Sequence, residues 1–216
     1  LFMVVHSALA LWAARMSGGT DIAIGTPAAG RGERATDDMI GMFVNQLVFR
    51  SQVDSGTSFT ELLAQQRDTD LHAFANADVP FERLVEVLNP QRSTARHPLF
   101  QVGLSFQNLA KASLELPGLT VSGLNIDTSI SQFDLHLIVS DRYDEQGNPD
   151  GISGFFTYAT DLFDQATADG FVTRLVRILE AELDVVTTER ERIDLLLKVA
   201  RLQEDQFLKA DVAAQR

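Results

Sequence analysis

Histidine is the residue type in this chain best suited to general base catalysis, because its imidazole titrates near neutral pH. Four histidines are present, at His6, His72, His97 and His136. No two are adjacent, and none is followed by an aspartate four residues later. There is no cysteine, so a thiolate nucleophile, a disulfide and a thiolate metal site are all excluded. The sequence alone therefore identifies no catalytic residue.

Arg92 and Arg96 stand four residues apart in the segment RSTARHPLF, residues 92–100. A guanidinium binds a carboxylate or a phosphate in bidentate fashion, so these two side chains could order a loop, pair with acids or bind a phosphate. His97 directly precedes a proline, and no carboxylate or nucleophile is spaced to act with it. We therefore interpret His97 as a loop residue that forms hydrogen bonds rather than as a base.

Asn45 interrupts an apolar stretch and must find hydrogen-bond partners if it is buried, because an unpaired amide costs about 1–3 kcal/mol. It could form a structural hydrogen bond inside a sheet, or it could face a cavity that holds a polar substrate arm. Arg50, five residues later, could form an ion pair with a carboxylate on a neighbouring loop.

The segment NADVPFE, residues 76–82, has the composition of a helix start. Asp78 could cap the helix, and Pro80 suits its first turn. Phe81 would anchor the helix, and Glu82 would lie at its positive end.

The glycine-rich segment Gly25–Arg31 lacks the spacing and the lysine of a nucleotide-binding loop. The acids around Asp141, Asp144 and Glu145 lack calcium-loop spacing, so they indicate a solvated turn.

Composition narrows the function classes further. The formal charge of −12 argues against a nucleic-acid surface, and 45% hydrophobic residues are enough for a core. The apolar start, residues 1–14, lacks a basic flank and is short for a membrane span, so a buried helix explains it better. No capping residue precedes Leu1, from which we expect the chain to be cut from a longer polypeptide. The absence of cysteine suggests the cytoplasm.

The local patterns predict a mixed α/β structure whose strands do not follow simple βαβ alternation. The first helix should end at Gly18-Gly19, and Ser58 with Glu61 forms a capping box for another. Asp164 should cap a late helix. The expected strands are 21–25, 42–49, 100–106, 133–139 and 151–158, with one more between 107 and 132. The expected helices are 1–17, 58–74, 80–88, one after Asp164 and a charged tail from 189.

Six segments in order resemble condensation domains of nonribosomal peptide synthetases. They are GTPAAGR, IGMFVNQLVFR, NADVPFE, RSTARHPLF, FDLHLIVSD and YATDLFD. The third departs from the family pattern at Ala77, and the fourth departs at Ser93, Ala95 and His97.

The resemblance implies a chloramphenicol-acetyltransferase-like α/β (two-layer α+β) fold for residues 1–195, as the carboxyl-terminal half of such a domain. Residues 196–216 would be a helical tail or linker. In that family a loop that would include Gly25, Thr26, Pro27 and Arg31 helps to form the floor of a substrate tunnel. The motif residues would line the channel: Asn45, Arg50, Asp78, Pro80, Phe81, Glu82, Arg92 and Arg96.

The resemblance also implies peptidyl carrier proteins as partners, with their phosphopantetheine arms, besides the missing amino-terminal half and adjacent synthetase domains. No directly bound cofactor, metal, nucleic acid or membrane is expected. The family's catalytic HHxxxDG segment is absent. We therefore expect a fragment that is inactive alone in amide formation. A non-catalytic carrier-binding module, or half of a related acyltransferase or epimerisation domain, remains an alternative.

Overall fold

The computed structural model describes residues 1–31, 36, 38–107, 119, 131–144, 146 and 148–183. These residues form four helices and five strands. In chain order the elements are α1 (Phe2–Ser17), β1 (Asp21–Ala28), β2 (Asn45–Gln52), α2 (Phe59–Ala75), α3 (Phe81–Leu88), β3 (Val102–Gln107), β4 (Leu135–Tyr143), β5 (Pro149–Tyr158) and α4 (Gln165–Leu183).

The five strands form one mixed sheet in the order β2-β1-β3-β4-β5. The outer pairs β1–β2 and β4–β5 are antiparallel, whereas β1–β3 and β3–β4 are parallel. The antiparallel β4–β5 pair confirms the hairpin expected from the turn composition after β4. The sheet also confirms the mixed α/β prediction without simple βαβ alternation.

One face of the sheet carries the hydrophobic core. Alternate residues of the central strands, such as Ile24, Leu104 and Leu137, are almost completely buried, because successive strand side chains point to opposite faces. Helix α1 packs against β1 and lies against both α2 and α4. Burial of each aliphatic side chain of this kind in the central strands contributes about 1.5–3 kcal/mol to the stability of the fold. The residues between them on β1, β3 and β4 are mostly only partly buried, so this is a two-layer structure.

The predicted helix ends are confirmed where the sequence provides a local cap. Gly18 adopts a left-handed conformation (φ 71°), and its N–H donates to the carbonyl of Ala14 at 2.8 Å. Ser58 and Glu61 form the reciprocal capping box at the start of α2. The Asp164 carboxylate accepts a hydrogen bond from the Thr167 N–H at 2.8 Å, which lowers its pKa.

Several strand boundaries differ from prediction, most clearly where β1 ends and β2 begins. Strand β1 continues three residues beyond Gly25, because it stays paired with β2 as far as Ala28 and Asn45. Strand β2 therefore begins at Asn45, and residues 42–44 precede it. The strand expected between 107 and 132 falls largely outside the described residues, as does everything after 183, including the 196–216 boundary. No helix in the described part of the chain is long and apolar enough to cross a membrane.

Candidate functional site

Asn45 joins the start of β2 to the turn between α2 and α3. Its Nδ2 donates to the carbonyls of Ala77 and Val79, both at 2.7 Å. Its Oδ1 accepts from the N–H of Phe81 at 3.1 Å and of Gln46 at 2.9 Å. The side chain thus makes hydrogen bonds with main-chain groups at both of its ends. Asn45 therefore makes structural hydrogen bonds, as one of its two interpretations expected, but these bonds connect separate elements and do not lie inside the sheet.

The same contacts correct the expectation that Asp78 caps α3. The residue at the helix start is Pro80, and no side-chain capping bond comes from it. The free N–H of Phe81 instead bonds to Asn45, which lies 36 residues earlier. A distant amide has therefore taken the place of a local cap. Glu82 lies in the first turn as predicted, where a carboxylate is favoured by the helix dipole.

The RSTARHPLF motif contacts the NADVPFE motif through aromatic rings. The ring of Phe81 lies 5.2 Å from that of His97, whose ring centroid is 4.0 Å from Phe100. Phe100 in turn lies 5.1 Å from Phe133, and Phe133 lies 5.2 Å from His136. These five rings, called here the aromatic row, connect α3 to β4 over the open face of the sheet.

Two glycines make room for the aromatic row. A Cβ atom at Gly25 would lie 2.1 Å from the ring of Phe100, and one at Gly103 would lie 2.7 Å from Phe133. Real Cβ atoms do not approach other heavy atoms so closely. Gly25, the first residue of the GTPAAGR motif, therefore has a packing role, because it lets an aromatic ring lie directly on β1.

A cavity of about 530 Å³ opens between α3 and the loop that contains the RSTARHPLF motif. Its charged lining consists of Glu82, Glu86 and Arg92. His97 also lines it, with a buried Nδ1 that has no hydrogen-bond partner among the described residues, and burial lowers the pKa of this histidine. The arrangement offers both acidic and basic groups to a polar ligand.

Arg96 faces a different neighbour from Arg92. Burial raises the pKa of Asp134, and the positive charge of Arg96 partly offsets that rise. Arg96 therefore acts on the segment that leads into β4, while Arg92 lines the cavity. The sequence did not show that two arginines four residues apart would point to separate places.

His136 lies at the end of the aromatic row and bonds to a serine on the next strand. The Oγ of Ser105 is 2.8 Å from its Nε2, and burial lowers the pKa of His136 to about 4. The imidazole is thus neutral at physiological pH. The contact pairs His136 with a residue of the neighbouring strand, and no sequence signal identified Ser105 as its partner.

The proposed floor loop needs correction, because Gly25, Thr26 and Pro27 belong to strand β1. Only Arg31 follows the strand. Its guanidinium lies 4.4 Å from the centre of the Phe43 ring, and it donates to the carbonyls of Thr36 and Met39. Arg31 therefore links the residue stretch after β1 to Thr36, Met39 and Phe43, which precede β2.

The segment that Arg31 holds is strongly apolar and exposed. Ile40 is fully exposed, Met42 is 88% exposed, and Met39 and Val44 are more than half exposed. Large contiguous apolar surfaces of this kind usually mark an interaction site. We refer to residues 39–44 as the apolar segment.

Arg50 forms a bidentate pair with Asp21 at 2.7 and 2.8 Å. The ion pair expected for Arg50 is present, although its partner lies on strand β1 and not on a loop. The pairing lowers the pKa of Asp21 and raises that of Arg50. Both side chains are largely exposed.

A buried polar cluster between α1 and α2 was not anticipated. His6 Nδ1 lies 3.0 Å from a carboxylate oxygen of Asp70, and Gln66 Nε2 lies 3.1 Å from the same nitrogen. All three side chains are almost wholly buried. The possible signal is Gln66 and Asp70 at i and i+4 on one face of α2, but their partner lies 60 residues away.

The fold and the motif positions define a class of protein. The family model of the condensation domain matches residues 1–203, so the chain belongs to the condensation-domain family. The described sheet and helices have the α/β architecture of these chloramphenicol-acetyltransferase-like domains.

Individual relatives agree with this assignment. The chain is 48% identical over 182 residues to a dimodular nonribosomal peptide synthase of Bacillus subtilis (strain 168), covering 84% of this chain and 8% of the relative. A crystal structure of the X-domain from teicoplanin biosynthesis is 32% identical, with a TM-score of 0.74 over 84% of this chain and 41% of that chain. The condensation domain of the monacolin K polyketide synthase MokA shares the fold, with 20% identity and a TM-score of 0.70 over 83% of this chain and 40% of that chain. The chain thus spans about two fifths of these solved domains.

Proposed function

We propose that this chain is the carboxyl-terminal half of a nonribosomal peptide synthetase condensation domain and forms one wall of its substrate channel. The observation that carries the proposal is the meeting of three motifs in one cluster. Asn45 of IGMFVNQLVFR bonds to the turn of NADVPFE, and Phe81 of NADVPFE contacts His97 of RSTARHPLF. Segments far apart in sequence thus build one continuous surface beside the aromatic row.

The reaction of the whole domain would join an acceptor amine to a donor acyl group. The amine nitrogen attacks the carbonyl carbon of a carrier-bound thioester, a C–N bond forms, the C–S bond breaks, and the carrier thiol takes up the proton lost by nitrogen. Holding two tethered substrates close together supplies much of the rate. The motif cluster would serve this positioning, and no residue of this chain is assigned the proton transfer.

The environments of His136, His97 and His6 support this separation of substrate positioning from proton transfer. His136 has a pKa of about 4 and is bonded to Ser105, so it is a weak base. His97 is partly buried under aromatic rings, and burial lowers its pKa too. His6 is enclosed with Asp70 away from the open face. Deprotonation of the amine is therefore assigned to the HHxxxDG segment of the missing half.

The phosphopantetheine arms of the carrier proteins would enter the channel beside this wall. The cavity under α3 offers one guanidinium, Arg92, but Glu82 and Glu86 line the same space. Two carboxylates disfavour a phosphate dianion, so the cavity fits the amide-bearing stem of the arm better than its phosphate.

Arg92 and Arg96 would order the loop, and Asp78 and Pro80 would shape the turn that Asn45 holds. Arg50 would stabilise the strand edge through Asp21, and Arg31 would hold the apolar segment where the GTPAAGR motif ends.

The apolar segment is the proposed contact with the amino-terminal half. Ile40 and Met42 are almost fully exposed, whereas an interface core requires such side chains to be buried. The guanidinium of Arg31 presents this segment in a fixed arrangement. Adjacent synthetase domains would complete the assembly.

The test is complementation with the missing half. The half-domain encoded immediately upstream in the parent reading frame is expressed separately and mixed with this chain and two loaded carrier proteins. The intact mass of the acceptor carrier is then followed. We expect no transfer with either half alone and peptide transfer with both.

A matched pair of variants sharpens the test. Met42→Asp in the apolar segment should abolish complementation, while Leu71→Asp on α2, also exposed, should leave it intact. Transfer by this chain alone would contradict the proposal. Stable carrier binding without transfer by the mixed halves would instead favour a non-catalytic carrier-binding module.

A further inference from the structure

A second, basic pocket lies between α1 and α4, within the helical layer that covers the core face of the sheet. It has a volume of about 250 Å³, and Trp12, Met16 and Ile178 form much of its apolar lining. Three arginines complete it: Arg15, Arg174 and Arg177. None of these residues belongs to the motif cluster, so the proposed channel wall does not account for the pocket.

The charge of this pocket is opposite to that of the chain as a whole. The chain has a formal charge of −12, yet no acidic side chain of the described residues lines the pocket. None of the three arginines forms an ion pair with another residue in the described part of the chain. By contrast, Arg50 and Arg83 are paired. Three neighbouring guanidiniums without a carboxylate repel one another and favour an anionic partner.

Trp12 adds an independent observation. Its side chain is only 2% exposed, and its ring packs against Phe156 and Phe171. Its indole N–H is buried and has no hydrogen-bond partner in the described structure. Tryptophan and arginine together are the residues that most often dominate the binding energy of protein interfaces. The apolar lining and charged rim therefore match a protein-binding site better than a site for a free inorganic anion.

We propose that the pocket between α1 and α4 docks an acidic, amphipathic helical segment of a neighbouring protein domain. Carboxylates of that segment pair with Arg15, Arg174 and Arg177, and an apolar side chain between them packs on Trp12 and Ile178. Arginine suits this role because its planar group binds carboxylates in bidentate fashion. The inference rests on the pocket's charge and lining, independently of amide formation.

The chain carries its own reporter for the test, because Trp12 is its only tryptophan. The intact chain is titrated with a synthetic helical peptide that repeats Glu and Leu at i and i+3/i+4 spacing, and tryptophan fluorescence is recorded. The comparison peptide has Gln in place of every Glu. We expect a saturable change with the Glu peptide, at least about tenfold weaker binding of the Gln peptide, and a similar loss in 0.3 M NaCl.

Two double variants separate this site from the overall charge. Arg174→Glu with Arg177→Glu should weaken binding of the Glu peptide at least about tenfold. Arg83→Glu with Arg142→Glu makes the same change in net charge on other elements and should leave binding within about twofold. Should the first variant not fold by circular dichroism, the peptide pair and the salt dependence on the native chain decide the question.

Several results overturn the proposal. They are equal binding of the two peptides, equal loss in both double variants, and no fluorescence change at millimolar peptide. Sodium phosphate producing the same saturable change at the peptide's concentration would also overturn it, because the pocket would then take a free anion.

Discussion

Replacing Asn45 with alanine removes the side chain that joins β2 to the turn before α3. The variant loses the acceptor for the Phe81 N–H, a capping bond that contributes about 1 kcal/mol. It also leaves the carbonyls of Ala77 and Val79 without their donor, at about 0.5–1.5 kcal/mol each. Since the site is partly exposed and water can replace some of these bonds, we expect the free energy of unfolding to fall by about 2–3 kcal/mol.

The measurement is urea denaturation followed by circular dichroism, together with hydrogen exchange at the Phe81 amide. Asn76→Ala is the matched control, because that amide makes a single exposed bond to the carbonyl of His72. Asn45→Ala should accelerate exchange at Phe81, whereas Asn76→Ala should not. If both variants cost the same, or if exchange at Phe81 is unchanged by Asn45→Ala, the role of Asn45 as a cross-element cap is refuted.

Three further outcomes are expected. Gly25→Ala places a Cβ against the overlying aromatic ring and should lower the free energy of unfolding by at least about 2 kcal/mol; Gly56→Ala, where the added atom meets nothing within 4 Å, should cost far less, and equal costs would contradict the packing role. For His136, the folded pKa of about 4 lies below the unfolded value, so the unfolded chain binds an extra proton as the pH falls from 6.5 to 4. Stability should therefore drop by about 2 kcal/mol more in wild type than in His136→Gln across that range, and parallel pH profiles would refute the assignment. Arg50→Ala breaks only an exposed pair with Asp21, so the urea midpoint should hardly move at any salt concentration, because such pairs contribute little; a large shift at low salt would show a greater role.

The sequence predicted those parts of the fold that depend on neighbouring residues. The left-handed Gly18, the capping box of Ser58 and Glu61 and the cap at Asp164 each act within a few residues, so a linear pattern reveals them. The alternation of apolar residues likewise located the strand that contains Leu137. The ends of β1 and β2 were misplaced, because their pairing with each other set the boundary.

The contacts that sequence reasoning missed all cross the fold. His6 meets Asp70 across 64 residues, and His136 meets Ser105 across 31. No periodicity connects such positions, because their proximity follows from helix packing and strand order. The expected cap at Asp78 failed for the same reason, since Asn45 supplied the acceptor from another element.

The hydrogen-bond pattern also separates the motif residues by role. Asn45 has partners within the chain, so substitution there should act first on stability. Glu82 and Arg92 line an open cavity without such pairing among the described residues, so substitution there should act on a bound partner. The family motifs therefore contain both residues that stabilise the fold and residues that line the open cavity. Because Asn45 holds Phe81 at the edge of the cavity, substitution of Asn45 should disturb the cavity lining as well. Substitution of Arg92 should leave the hydrogen bonds of Asn45 intact.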